Sequence, residues 1–145
     1  MEQGANIHIN KEEALKLAAE FGYFKIVKYL VEQGADIYIG NEYSLMLVSY
    51  NGYLEIVQYL VEKVANIYAN DFAFKYASAN NHLDIVRYFL YDCKMQIKEE
   101  IYDWLKEKNK IKSLEIIEKR DLLFQLDKDI NQKDSVDNFS NKIKI

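Results

Sequence analysis

Gly4-Ala5-Asn6-Ile7, Gly34-Ala35-Asp36-Ile37 and Val64-Ala65-Asn66-Ile67 stand thirty residues apart. Self-similarity at such a period signals a stack of small units, each burying its apolar face against the next, so fold and function are read per repeat. The second half of the unit recurs as clearly, in Phe24-Lys25-Ile26-Val27-Lys28-Tyr29-Leu30, Leu54-Glu55-Ile56-Val57-Gln58-Tyr59-Leu60 and Leu83-Asp84-Ile85-Val86-Arg87-Tyr88-Phe89. The second step is twenty-nine residues, and the missing residue falls between Ile67 and Ala73, in a loop.

Each unit reads as a turn, a helix (helix A), a tight break and a second helix (helix B). Asn10, ahead of Lys11-Glu12-Glu13, has the chemistry of an N-cap, its oxygen three residues before a glutamate that can reach back. Ala14, Leu15, Leu17 and Ala18 then mark the buried face of helix A. Gly22, Gly52 and Asn81 are the break residues, the types that tolerate the left-handed conformation following a helix. Helix B carries Ile26, Val27, Leu30 and Val31, repeated as Ile56, Val57, Leu60 and Val61 and as Ile85, Val86, Phe89 and Leu90, one apolar stripe per helix. Gly34 ends helix B in the same left-handed way. Its counterparts read as Val64 and, after the deletion, Cys93, and a β-branched valine holds that conformation at a cost, which predicts a remodelled turn. Small residues at Ala18, Ala19, Ser49, Ala77 and Ser78 let neighbouring A helices approach closely.

These residues resemble the ankyrin repeat, whose helix-turn-helix unit ends in a β-turn finger. The likeness rests on Leu17-Ala18-Ala19-Glu20-Phe21-Gly22-Tyr23-Phe24-Lys25-Ile26-Val27-Lys28-Tyr29-Leu30, on Gly34-Ala35-Asp36-Ile37 and on His82-Leu83-Asp84-Ile85-Val86. It departs from the family where Thr-Pro-Leu-His usually opens helix A: here stand Glu13-Ala14-Leu15-Lys16, Tyr43-Ser44-Leu45-Met46 and Phe72-Ala73-Phe74-Lys75, and the chain has no proline. The short period and the richness in Asn, Lys, Ile and Tyr look like the ankyrin proteins of giant amoeba-infecting viruses. The resemblance implies an all-α repeat solenoid, a stack of antiparallel helix pairs joined by short β-turn fingers. Repeats are expected at 4–33, 34–63 and 64–92, with a diverged capping repeat at 93–126. Within the cap Ile101-Tyr102-Asp103-Trp104-Leu105 reads as helix A and Leu114-Glu115-Ile116-Ile117 as helix B, with no recognisable break between them and Trp104 in the core. Leu122, Leu123 and Leu126 extend the last helix, and 127–145, polar and mixed in charge, reads as a disordered tail.

Composition removes several kinds of function. A net charge of −4 and a pI near 5.3 argue against a nucleic-acid footprint. The one basic run, Lys106, Lys108, Lys110 and Lys112, is interrupted by acids and reads as a solvated turn. His8, His82 and the lone Cys93 have no metal-ligand spacing, which predicts no metal site. No Gly-Lys-Ser/Thr follows any glycine, which predicts no nucleotide or other cofactor. The acids Glu55 and Asp84 recur on a solvent face of helix B, as helix-end electrostatics rather than a catalytic pair, so no enzyme is expected. Neither a signal sequence nor a membrane span is expected, and a single cysteine suits a reducing, intracellular and cytoplasmic setting.

What remains is a protein-interaction module, expected to be monomeric, that binds a protein or peptide. The alternatives are a structural or residual repeat array without a dedicated partner, and an adaptor presenting a host protein to a modifying or degrading machinery. The resemblance implies a concave surface made by the fingers and the exposed face of helix A. His8, Tyr38 and Tyr68 occupy equivalent finger positions, an aromatic ladder suited to an interface. Phe21, Tyr50, Asn51 and Asn80 lie just before the helix breaks, where the repeats vary, and complete the candidate partner-binding set.

Overall fold

The fold is that of a computed structural model that describes residues 7–37, 41–63 and 70–143, with side chains assigned over 11–37, 43–63 and 71–133. Among the described residues there are eight helices and no strand. They are α1 (Ile7–Glu20), α2 (Phe24–Glu32), α3 (Asn41–Asn51), α4 (Leu54–Lys63), α5 (Asn70–Ala79), α6 (Leu83–Arg87), which continues as a π-helical turn over Tyr88–Asp92, α7 (Glu99–Glu107) and α8 (Ile111–Ile143). The odd-numbered helices pack side by side in one layer and the even-numbered ones in another, so four helix pairs stack in chain order.

All four pairs turn by one device. Gly22, Gly52, Asn81 and Asn109 hold φ of 73°, 83°, 59° and 52°. In each case the next amide donates to a carbonyl five residues back: Tyr23 to Ala18 (2.8 Å), Tyr53 to Val48 (2.9 Å), His82 to Ala77 (2.9 Å) and Lys110 to Leu105 (2.8 Å). This is the Schellman closure, which satisfies an orphan carbonyl at the helix end. The break that the sequence reading did not find in the capping repeat is therefore present at Asn109. Asparagine tolerates the left-handed region better than other residues with a Cβ, as Asn81 does one repeat earlier.

A second correction concerns the end of helix B. Gly34 (φ 78°) closes α2, with Ala35 N–H on Leu30 O at 2.9 Å, but Cys93 has φ −80° and the left-handed residue of repeat three is Lys94, at φ 52°. The cause is the π turn. Cys93 N–H reaches Tyr88 O (3.1 Å) and Met95 N–H reaches Phe89 O (2.9 Å), each one residue further than in the first repeat. A π turn accommodates one inserted residue within a helix, so the residue lost between Ile67 and Ala73 is regained inside this helix. Lys94-Met95-Gln96-Ile97 then stands where Gly34-Ala35-Asp36-Ile37 stands, and Met95 is buried as Ala35 is. The turn at Val64 lies outside the described residues.

The core follows the helix B stripe except at Ile26, with Leu30, Val31 and Val61 partly buried, and on helix A Leu17, expected on the buried face, is instead 47% exposed. Val27, Ile56, Val57, Leu60, Ile85, Val86, Phe89 and Leu90 are buried between the layers, yet Ile26 is 48% exposed whereas its counterparts Ile56 and Ile85 are 1% and 0%. Those two are covered by the helix B of the preceding repeat, and no described element covers α2 in that way. The small residues Ala18, Ala19, Ser49, Ala77 and Ser78 are all buried in the seam between A helices.

Two further expectations change. α1 starts at Ile7, so Asn10 lies inside it and is no N-cap, and His8 lies in its first turn rather than in a finger. Residues 7–10, Ile-His-Ile-Asn, contain neither glycine nor proline to break the helix there. α8 does not stop at Leu126 but runs unbroken to Ile143, through the segment read as a disordered tail. Its stretch 127–143 contains neither glycine nor proline, and charge alone does not end a helix. Leu122, Leu123, Phe124, Leu126 and Ile130 on it are exposed.

Candidate functional site

The four breaks give a common register for helix A, because residues nine, six, five and two positions before each break fall on one face. The buried alanines and serines occupy the opposite face. The exposed strip reads Glu13, Lys16, Leu17 and Glu20 on α1; Tyr43, Met46, Leu47 and Tyr50 on α3; Phe72, Lys75, Tyr76 and Ala79 on α5; and Glu100, Asp103, Trp104 and Glu107 on α7. Its centre is a shallow apolar groove. One depression of about 220 Å³ is lined by Tyr43, Met46, Leu47, Tyr50 and Tyr76, and an adjoining one of about 280 Å³ by Phe72, Lys75, Tyr76, Ala79 and Trp104. Tyr76 is the shared wall, and Tyr50 meets it edge-on with ring centroids 6.0 Å apart.

The two lysines of the strip lie over aromatic rings: Lys16 Nζ is 5.0 Å from the centroid of Tyr43 and Lys75 Nζ is 5.8 Å from that of Trp104. Such placement keeps the ammonium near solvent while its methylenes cover the ring. Tyr43, Tyr50, Phe72 and Tyr76 remain exposed and Trp104 is half-buried, so the groove presents aromatic surface that no described residue covers.

The rim beside the groove is fixed by hydrogen bonds between repeats, each on the carbonyl two residues before a break. Asn51 Nδ2 donates to Glu20 O (3.1 Å), His82 Nε2 to Tyr50 O (2.8 Å) and Lys110 Nζ to Ala79 O (2.6 Å). These carbonyls end helix A and have no intrahelical partner, so a donor from the next repeat satisfies them and registers one unit on another. Lysine adds a favourable charge at the negative end of the helix dipole. The Tyr53 and His82 rings also rest on Gly22 and Gly52, where a Cβ would approach to 2.7 Å and 2.5 Å. His82 is thus a structural residue, as its repeat position implies.

Of the seven candidate partner-binding residues, Tyr50 lines the groove. Phe21 is exposed beside it, stacked on Tyr23 at 6.2 Å. Asn51 is occupied as the clasp on Glu20, and Asn80 turns back on its own helix, its Nδ2 donating to Tyr76 O at 3.0 Å. Tyr38 and Tyr68 lie outside the described residues, as does the side chain of His8. Tyr43, Met46, Leu47, Phe72, Lys75, Tyr76 and Trp104 were not singled out for binding, and Trp104 was assigned to the core. The signal that finds them is the break register: once Asn109 is aligned with Gly22, Gly52 and Asn81, Trp104 falls on the line of Leu17, Leu47 and Tyr76.

Other sites have less to offer. A larger cavity of about 400 Å³ lies where α8 leaves the array, lined by Leu90, Lys94, Gln96, Arg120, Asp121 and Phe124. Its guanidinium is committed, with Arg120 Nη1 on Met95 O (2.6 Å) and Nε and Nη2 on Asp121 Oδ1 (2.8 and 2.6 Å). Burial pushes the Cys93 thiol up despite the hydrogen bond from the Tyr88 hydroxyl, which works the other way, so this cysteine is not primed as a nucleophile. Burial, followed by the contact with Cys93, raises Tyr88 as well. Among the described residues no three His, Cys, Asp or Glu side chains cluster as a metal site, and no helix is long and apolar enough to cross a membrane.

Two family models match. One described as ankyrin repeats (3 copies) covers residues 39–100, and one described as ankyrin repeats (many copies) covers 15–61, so together they span 15–100, more than half the chain. The chain is an ankyrin repeat protein. Neither the curated proteins nor the solved structures gave a match. Ankyrin repeats are in general protein-protein interaction modules without enzymatic activity, and the matched residues of this ankyrin protein include α3 and α5, which carry the centre of the groove.

Proposed function

We propose that this ankyrin protein recognises a protein segment through the helix A groove, with Tyr43, Tyr50, Phe72, Tyr76 and Trp104 as its principal contact surface. The observation that carries the reading is the contrast between the two faces of helix A. One face is small and sealed, whereas the other exposes four aromatic rings and a half-buried indole in a row, at positions where a solvated helix would carry charge. Large aromatic side chains of few torsions are the residues on which interface energy concentrates. The sequence expectation that Tyr38 and Tyr68 contribute finger contacts is a separate arm of the test below.

The module works as a binding protein rather than a catalyst, as a monomer in a reducing intracellular compartment. The narrower likeness to ankyrin proteins of giant amoeba-infecting viruses rests on the short period, the run Tyr29-Leu30-Val31-Glu32-Gln33-Gly34-Ala35-Asp36 and the residue usage. An adaptor role, passing a captured protein to a modifying or degrading machine, would require a second recruiting element, and α8 beyond the array is the segment to truncate in testing it. The deciding experiment is recovery of partners from the native cell with the wild type, a Tyr50→Ala/Tyr76→Ala variant and a Tyr38→Ala/Tyr68→Ala variant, each checked for an unchanged melting temperature. Loss of a partner with the first variant supports the groove, and loss with the second alone moves recognition to the fingers. Retention of every partner by both would favour a structural array with no recognition role on this face.

A further inference from the structure

The break register orders the charges of the groove as well as its rings. Glu13 and Glu20 lie at the α1 end, Glu100, Asp103 and Glu107 at the α7 end, and the two middle repeats contribute no carboxylate to the strip. All five acids are exposed. Glu13 faces Lys16 at 4.0 Å and Glu107 is held by Lys108 at 2.8 Å, whereas Glu20, Glu100 and Asp103 make no ion pair among the described residues. The lysines within the strip, Lys16 and Lys75, sit over Tyr43 and Trp104. An apolar centre is therefore bracketed by negative ends.

Resting on the reading that this groove is the recognition surface, we propose that its ligand is an extended peptide with apolar or aromatic anchors bracketed by lysine or arginine. The spacing follows from the stack. Three steps between adjacent helices, at about 8–10 Å each, separate the acidic ends by about 25–30 Å, and an extended chain covers that distance in about eight or nine residues. Basic residues that far apart meet both ends while the side chains between them fill the depressions around Tyr76. A peptide with acidic flanks meets like charge at both ends, so the same geometry supplies selectivity and a faster encounter with basic segments.

The test is selection of a random twelve-residue peptide display library on the immobilised full-length chain. The enriched peptide is then synthesised and its affinity measured for the wild type, Tyr50→Ala/Tyr76→Ala and Glu13→Lys/Glu20→Lys/Glu100→Lys/Asp103→Lys. The expected consensus is lysines or arginines about eight or nine residues apart with two or three apolar positions between them, with binding abolished by the tyrosine variant and weakened about tenfold by the charge reversal, a loss that shrinks at high salt. Should the reversed chain fail to fold, Glu20→Gln/Asp103→Asn takes its place, with about a threefold loss expected. Enriched peptides that depend on Tyr50 and Tyr76 but carry neutral or acidic flanks overturn the charge proposal and leave the groove reading standing. Peptides indifferent to Tyr50 and Tyr76, or no enrichment at all, overturn both.

Discussion

A Cβ added at Gly52 would lie 2.5 Å from the His82 ring and 3.0 Å from its Cγ, and that ring is tied to Tyr50 O, so it cannot swing aside without losing its hydrogen bond. At Gly22 the clash is with the far end of the Tyr53 ring, which packs against the core but is not tied by a side-chain hydrogen bond among the described residues, and at Gly34 nothing lies within 4 Å. All three residues have positive φ, so alanine costs about 1–2 kcal/mol at each from backbone strain. The steric part is added only at the first two, by about 1–3 kcal/mol where the neighbour is fixed. Urea unfolding should therefore rank the variants Gly52→Ala, then Gly22→Ala, then Gly34→Ala in order of decreasing destabilisation, and Gly34→Ala as the most harmful would refute the ring contacts. A second residue-scale prediction concerns Ser49, whose buried Oγ has no partner among the described residues while Ala19 fills the same position in repeat one. Ser49→Ala should leave stability unchanged or raise it by up to about 1 kcal/mol, since it removes an unsatisfied hydroxyl.

At the scale of elements, helix B shows how much burial depends on a neighbour. Ile56→Ala and Ile85→Ala should each cost about 2–5 kcal/mol, as truncations that leave a cavity, whereas Ile26→Ala, at a half-exposed site, should cost well under that. Similar losses at all three would mean that α2 is covered in solution. The π turn yields a further prediction: Lys94 has taken over the left-handed role of Gly34, so Lys94→Gly should stabilise the chain by about 1 kcal/mol in thermal or urea unfolding. The helix pairs and their breaks at Gly22, Gly52 and Asn81 were legible because apolar periodicity and a left-handed residue coincide at fixed spacing. The fourth pair was only half legible. Its break is Asn109 amid lysines, its entry turn is displaced by the inserted residue of the π turn, and Met95 replaces the recognisable Gly-Ala. α1 and α8 both extend past what composition suggests for one reason: neither 7–10 nor 127–143 holds a glycine or proline to break the helix.

For the whole molecule, each pair leans on its neighbours alone, so amide exchange should be slowest in α4 and α6, which are flanked on both sides, and faster toward α1 and the far end of α8. The same stacking makes the surface: four copies of one helix face, aligned by the carbonyl clasps of Asn51, His82 and Lys110, become a single groove of rings closed by acids. From the sequence, Tyr50 and Phe21 were found because they precede a break. Trp104 reads as core, and Tyr43, Phe72 and Tyr76 carry no binding signal of their own, until the opposite face of helix A is known to be sealed by alanine and serine. Trp104 is the only tryptophan in the chain and lines this groove, so its fluorescence is the most direct probe of the binding face. Titration with a partner recovered by the wild type should change Trp104 emission with the same Kd that an independent binding assay gives, and Tyr50→Ala/Tyr76→Ala should abolish both signals while keeping the wild-type melting temperature. Full-affinity binding that leaves Trp104 emission unmoved and survives the tyrosine variant would contradict recognition through the helix A groove.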